Sequence, residues 1–306
     1  MIRILSPALA LLVGITQSVV ALPVSAQDST IAEPAADPIV VQGIKEIERQ
    51  IDTLVYDYTT VSEHSPIWRY PENEYCPQVI GLSDQMATAI ETRMRQVASA
   101  AGVKPAGPGC STSALAIFAD NRAVLLEEFK RIHPIYFQRL SAQEVTMQGR
   151  DDNVLSWKII GRIDINGNPV LDNDEGWEYV NLRVGGSRLQ SVTKPVVAIA
   201  VVLIEREAII GFTPTQLADY ILMRTLTDTD PSSLEAKSAP TILRLIDTPV
   251  GSAAPLSLTG WDFAYLQGRY ASNEWSYGHT QAAKIRATMR RALLAQSQDD
   301  PFERGE

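Results

Sequence analysis

Pro195–Glu205 reads PVVAIAVVLIE, and Thr213-Pro-Thr-Gln216 follows eight residues later. The first stretch is apolar without alternation, which predicts a strand buried on both faces. Such a strand needs neighbours on either side and a layer of structure over each face. The second stretch is a capping box with proline at the first helical position. Phe212 and Leu217 flank it as a hydrophobic staple, and Leu217, Tyr220, Ile221 and Arg224 continue the helix to about Leu226. A central strand leading into a well-capped helix predicts an α+β fold, a mixed sheet with helices packed on it.

Working towards the N-terminus, Cys76–Leu82 (CPQVIGL) predicts a strand and Ser83 the cap of the next helix. Met86, Ile90, Met94, Val97 and Ala101 recur at helical spacing, and Gly102 suits a left-handed end. Cys110 follows a Pro/Gly-rich loop, and Ser113–Ala119 is the next predicted strand. Strand, helix, strand brings the two strand starts to one sheet edge with the cysteines side by side. They are the only two in the chain. A Cys76–Cys110 disulfide is therefore expected, contributing about 3–4 kcal/mol by loop closure.

Further elements follow from periodicity. Ile44, Ile47, Ile51, Leu54, Val55 and Tyr58 are spaced for an amphipathic helix, preceded by an extended segment Ile39–Gly43. Residues 66–75 carry Pro66, Trp68, Tyr70, Pro71 and Tyr75 in an irregular run. Asp120 or Asn121 caps a helix to about Ile132, with Val124, Leu125, Phe129 and Ile132 as its apolar face. A short helix is expected over 141–148 and a strand over Trp157–Ile165. Asn166-Gly167 then makes a turn, and Glu178–Val184 is a further strand. On the C-terminal side, 227–240 is a polar loop and Thr241–Ile246 a short buried segment. Thr259-Gly-Trp-Asp262 starts a helix to about Tyr270, and a basic helix covers about 279–296.

The chain has 306 residues, 45% hydrophobic and 21% charged, with a net charge of -9. An acidic surface repels phosphate backbones, so no nucleic-acid partner is expected. Residues 1–26 read as a cleavable secretory signal: Arg3, an apolar run over 8–21, and small residues at Val24-Ser-Ala26. No later segment is long and apolar enough to span a membrane. The expected organisation is 1–26 signal peptide, 27–38 disordered linker, 39–297 one α+β domain and 298–306 disordered tail. The expected location is the periplasm or the medium.

Chemistry is thinly marked. His64, His133 and His279 are scattered and form no zinc motif. Asp164, Asn166, Asn168 and Glu175 have the ligand spacing of a calcium loop, but position 6 is Pro169 where glycine is required. There is no nucleophile elbow, no dinucleotide fingerprint and no P-loop, and no cofactor is expected. Two carboxylates remain as acid–base candidates, Asp219 inside the capped helix and Asp262 at the start of the next. Set against this, Asp219 also reads as a buried hydrogen-bond partner and Asp262 as a helix cap.

The pieces CPQVIGL, GPGC, PTQLADYILMR, SAPTIL and LTGWDFAYLQGRY resemble an uncharacterised family of exported Gram-negative proteins. More distantly, 195–270 is similar to zincin-type metallopeptidase domains, in which an apolar strand leads to the zinc helix. The H-E positions of that helix fall here near Pro214-Thr215 or Thr215-Gln216, which supply no imidazole and no base. The resemblance implies a zincin-like scaffold without its metal. The expected function is a non-enzymatic envelope protein that binds a protein or peptide beside helix 214–226 and the aromatic 66–75 segment. The alternatives are a hydrolase using Asp219 and Asp262, and a calcium-dependent module using the 164–175 loop.

Overall fold

A computed structural model describes residues 38–62, 64–137, 153–170, 187, 190–229, 234, 239–248 and 254–299. The described residues form a mixed four-stranded sheet carrying helices on both faces. The strands are β1 (Pro77–Ile80), β2 (Ala114–Ala119), β3 (Val154–Asp164) and β4 (Thr193–Glu205), in the order β1-β2-β4-β3. β1, β2 and β4 run parallel, and β3 pairs antiparallel with β4. The apolar run is thus an interior strand. Every residue from Pro195 to Ile204 is buried except Ala198, which lies where the β3–β4 register shifts between Ile159 and Ile160.

The helices are α1 (Pro38–Tyr58), α2 (Asp84–Ala100), α3 (Arg122–Ile132), α4 (Pro214–Leu226), α5 (Gly260–Ala271) and α6 (Gly278–Asp299). One sheet face, built from Ala114, Ala116, Phe118, Val202 and Ile204, joins the main core under α1, α2, α4, α5 and α6. The opposite face, built from Leu115, Ile117, Trp157, Val201 and Leu203, is covered by Leu125, Leu126 and Phe129 of α3 and by Phe137. α4 is buried from Gln216 to Leu226 because it lies inside the main core. Its predicted capping box is present, with Thr213 Oγ1 accepting from Gln216 N and Gln216 Oε1 accepting from Thr213 N.

Three expectations need correction. Ile39–Gly43 is not extended but forms the first turns of α1, so the β-branched pair Val40-Val41 yields to the helix that follows. The inward face of α3 is Leu125, Leu126 and Phe129, whereas Val124 is 67% and Ile132 50% exposed. Both phases satisfy helical spacing, and the position of the sheet chooses between them. The last helix runs to Asp299, past the expected start of the tail at 298. The expected elements over 141–148 and 178–184, the signal region and the linker to residue 37 lie outside the described residues.

β1 is an edge strand, and its outer side is closed. The Cys76 carbonyl turns inward to Ser113 N and Ala114 N, so alternation points residues 77 and 79 outward. Pro77 has no N–H, and the Val79 N–H donates to Glu91 Oε1 at 2.8 Å. A proline and a carboxylate thus blunt an edge that would otherwise offer itself to another chain. At the start of the strand Cys76 and Cys110 form the disulfide, with Cα atoms 6.1 Å apart. The parallel register Pro77↔Ala114 brings them together, as the strand–helix–strand reading requires.

Candidate functional site

The two carboxylates singled out by sequence are both fully buried. Asp219 accepts from Arg93 Nε and Nη2, each at 2.9 Å, and from Leu258 N at 2.7 Å. It ties α4 to α2 and to the segment that enters α5. The Arg93 guanidinium is held above its ordinary pKa by this hydrogen-bonded carboxylate. Asp262 completes a second capping box, its Oδ2 accepting from Thr259 N at 3.2 Å. The same oxygen accepts from Ile242 N at 2.9 Å, and Oδ1 accepts from the Tyr58 hydroxyl at 2.8 Å. Tyr58 also shares a short hydrogen bond with the Thr241 hydroxyl. Burial raises the Asp262 pKa, opposed by the hydrogen bonds from Ile242, Thr241, Tyr58 and Thr259.

The fold brings these two acids to successive residues, one at Leu258 and one at Thr259. Neither has an oxygen without a partner, and neither lines the cleft of about 440 Å³ that Arg93, Gln96, Leu258 and Phe263 form there. They join elements rather than face a substrate. The residues expected to form a binding face are core residues: α4 is buried from Gln216 to Leu226, and Trp68, Tyr70 and Tyr75 are all buried. Aromatics in an irregular segment are here core residues, with the Tyr70 and Tyr75 rings edge to face at 4.9 Å.

The 164–168 turn satisfies its own carboxylate. Asp164 Oδ1 accepts from Asn166 N and Asn168 N, and Oδ2 from Asn168 Nδ2. The fourth calcium candidate, Glu175, lies outside the described residues. His64, His133 and His279 are exposed and far apart in the chain. Among the described residues no three His, Cys, Asp or Glu side chains gather as metal ligands.

The topology itself marks a different place. The chain leaves β1 into α2 on the main-core face, but leaves the adjacent β2 into α3 on the opposite face. Where neighbouring parallel strands send their connections to opposite sides, a crevice opens beyond their carboxyl ends, and in open α/β sheets ligands bind there. This chain has that crevice, with a volume of about 500 Å³. Ile80 and Gly81 end β1, Ile117–Asn121 ends β2, Val124, Leu125 and Glu128 come from α3, and Arg206 follows β4. Arg206 braces it: Nε donates to the Gly81 carbonyl at 2.9 Å and Nη1 to Asp120 Oδ1 at 2.6 Å. Glu205 Oε1 accepts from Arg122 N, and the Asn121 side chain caps α3 through Val124 N. Gly81 sits at φ 87°, and a Cβ there would drive into the Phe118 carbonyl. Only glycine lets β1 turn this closely over the end of β2.

No protein-family model, curated protein or solved structure matches this chain. The site therefore stands on its geometry. Its floor is aliphatic, from Ile80, Ile117, Val124 and Leu125, and its charges are already engaged: Asp120 with Arg206, and Glu128 with Arg131. The Arg131 hydrogen bond holds Glu128 below the ordinary carboxylate range. This arrangement can desolvate an apolar group and surround it with polar backbone. It does not present a carboxylate poised to move a proton.

Sequence reading missed this site because it needs the strand order, which periodicity does not supply. One local signal was present. Val124 and Leu125 are both apolar at the start of α3, and a helix that buries one presents the other differently.

Proposed function

We propose that this is an exported, non-catalytic binding protein whose crevice at the ends of β1 and β2 holds an apolar side chain of a peptide or protein partner. The observation that carries this reading is the position of Ile80 and Val124. They are 43% and 67% exposed, and they face one crevice at the point where the chain changes sides of the sheet. Exposed aliphatic residues scattered singly need no explanation, but two of them lining one cleft with Leu125 and Ile117 do. The volume of about 500 Å³ is in the range of pockets that enclose a large side chain or a drug-sized ligand.

Export is supported by the leader-like residues 1–26 and by the Cys76–Cys110 disulfide, which persists in oxidising compartments. Among the described residues no helix is long and apolar enough to cross a membrane. The distant zincin resemblance supports the same reading: an interior strand leads to a helix that carries no histidine and no glutamate, and whose one carboxylate, Asp219, is held by Arg93 and Leu258 N. Burial of Asp219 and Asp262 in structural hydrogen bonds favours binding over acid–base chemistry.

The test is selection from a random peptide library on the mature chain. Enriched peptides are expected to share one large apolar residue. Val124→Arg should weaken their binding about tenfold or more, and Gln96→Arg in the second cleft should leave it unchanged. Equal binding by Val124→Arg, or loss with Gln96→Arg instead, would overturn the proposal.

A further inference from the structure

The Arg95 guanidinium of α2 is packed against the Cys76–Cys110 disulfide. Its Nη2 lies 3.3 Å from Cys110 Sγ and 3.7 Å from Cys76 Sγ. Its Nη1 donates to the Ala106 carbonyl at 2.7 Å. Ala106 is itself pinned beside the start of β1, its N–H donating to the Tyr75 carbonyl at 2.9 Å. Helix and loop thus hold the cation on the sulfurs. Among the described residues no carboxylate forms an ion pair with it. A disulfide sulfur is a weak, uncharged acceptor and makes little use of a full positive charge. A thiolate is strongly stabilised by one. The cation is therefore placed for the state in which the S–S bond is open.

Access to the bond is one-sided. Cys76 is 4% exposed. Cys110 is partly exposed, and its neighbours Gly107, Pro108, Gly109 and Ser111 are exposed. A Cβ on Gly107 or Gly109 would meet nothing within 4 Å, so the loop leaves room for another chain beside Cys110. Disulfides that are exposed in this way are the ones that exchange.

We propose that the Cys76–Cys110 bond is a thiol–disulfide exchange site for the dithiol of a partner protein, with Arg95 stabilising the thiolate that leaves. The partner's thiolate attacks Cys110 Sγ. The Cys76–Cys110 bond breaks, a mixed disulfide forms on Cys110, and the electron pair departs on Cys76 Sγ as a thiolate beside Arg95. The partner's second thiolate then attacks its own sulfur in the mixed disulfide, releasing Cys110 as a thiolate. Two electrons have passed from the dithiol to this chain, the partner is left as a disulfide, and its two thiol protons go to solvent. A guanidinium lowers the pKa of a neighbouring thiol, and a thiol of lower pKa leaves faster. The site lies at the opposite end of β1 from the crevice and does not depend on the function proposed there.

Reduction of the folded mature chain by dithiothreitol at neutral pH, quenched with N-ethylmaleimide and followed by mass, tests it. Arg95→Gln should slow reduction about fivefold, and Arg95→Lys, which keeps the charge, should restore most of the rate. The direction separates this role from a structural one, because a variant that merely loosens the fold exposes the bond and is reduced faster. With reduced glutathione as a monothiol probe, the trapped mixed disulfide should map to Cys110. The proposal is overturned if the wild type is reduced only as fast as it unfolds globally, if Arg95→Gln is reduced as fast as the wild type or faster, or if glutathione maps to Cys76.

Discussion

Asp262 receives hydrogen bonds from three elements: its own cap at Thr259, the turn at Ile242, and Tyr58 at the end of α1. Removing it leaves several buried donors without a partner, each costing about 1–3 kcal/mol. Asp262→Ala should therefore lower unfolding stability by about 3 kcal/mol or more, read from urea denaturation. Asp219→Asn should cost less, about 1–2 kcal/mol, because Arg93 is one-third exposed and can turn to water. Peptide binding at the crevice should survive in the folded fraction of both variants. The opposite ranking would mean that Asp219 is the more heavily used joint. Sequence identified Asp262 as a cap because the capping-box spacing is local. It could not show Tyr58 or Ile242, which lie 204 and 20 residues away. In the sequence each acid reads either as a catalytic group or as a structural one, since burial is a property of the packed molecule.

Among the elements, β4 and α4 were the most legible, because an unbroken apolar run and a Thr-Pro-Thr-Gln cap are local signals that tertiary packing reinforces. α3 was legible as a helix but not in phase: four apolar residues at helical spacing left two faces open, and the β-sheet selected Leu125, Leu126 and Phe129. The Val124 left outside became part of the crevice. Gly81 is the element-scale counterpart. It permits β1 to turn over Phe118 in a left-handed conformation. Gly81→Ala should destabilise the chain by at least about 1–2 kcal/mol from backbone conformation alone, with the clash on the Phe118 carbonyl adding to that. A melting curve unchanged by Gly81→Ala would show that the β1–β2 end is looser than described, and with it the crevice.

At the scale of the molecule, the fold follows from two interior strands, β2 and β4, that must be covered on both faces. Connections leaving β1 and β2 on opposite sides satisfy that requirement, and the crevice is its by-product. The disulfide fixes the far end of the same strand pair, joining the start of β1 to the loop before β2 across a separation of 34 residues. Replacing both cysteines with serine should lower stability by about 3–4 kcal/mol, with the β1–α2–β2 unit losing most hydrogen-exchange protection. Uniform loss across the sheet would instead show that the unit does not open separately.

Methyl-resolved NMR of the mature chain, titrated with an enriched apolar peptide, addresses the crevice most directly. The Ile80, Ile117, Val124 and Leu125 methyls should shift together and saturate at one affinity, while those of Ile221 and Leu226 inside the core stay fixed. Shifts confined to Leu258 and its neighbours, or spread over the surface without saturation, would contradict the binding site placed at the ends of β1 and β2.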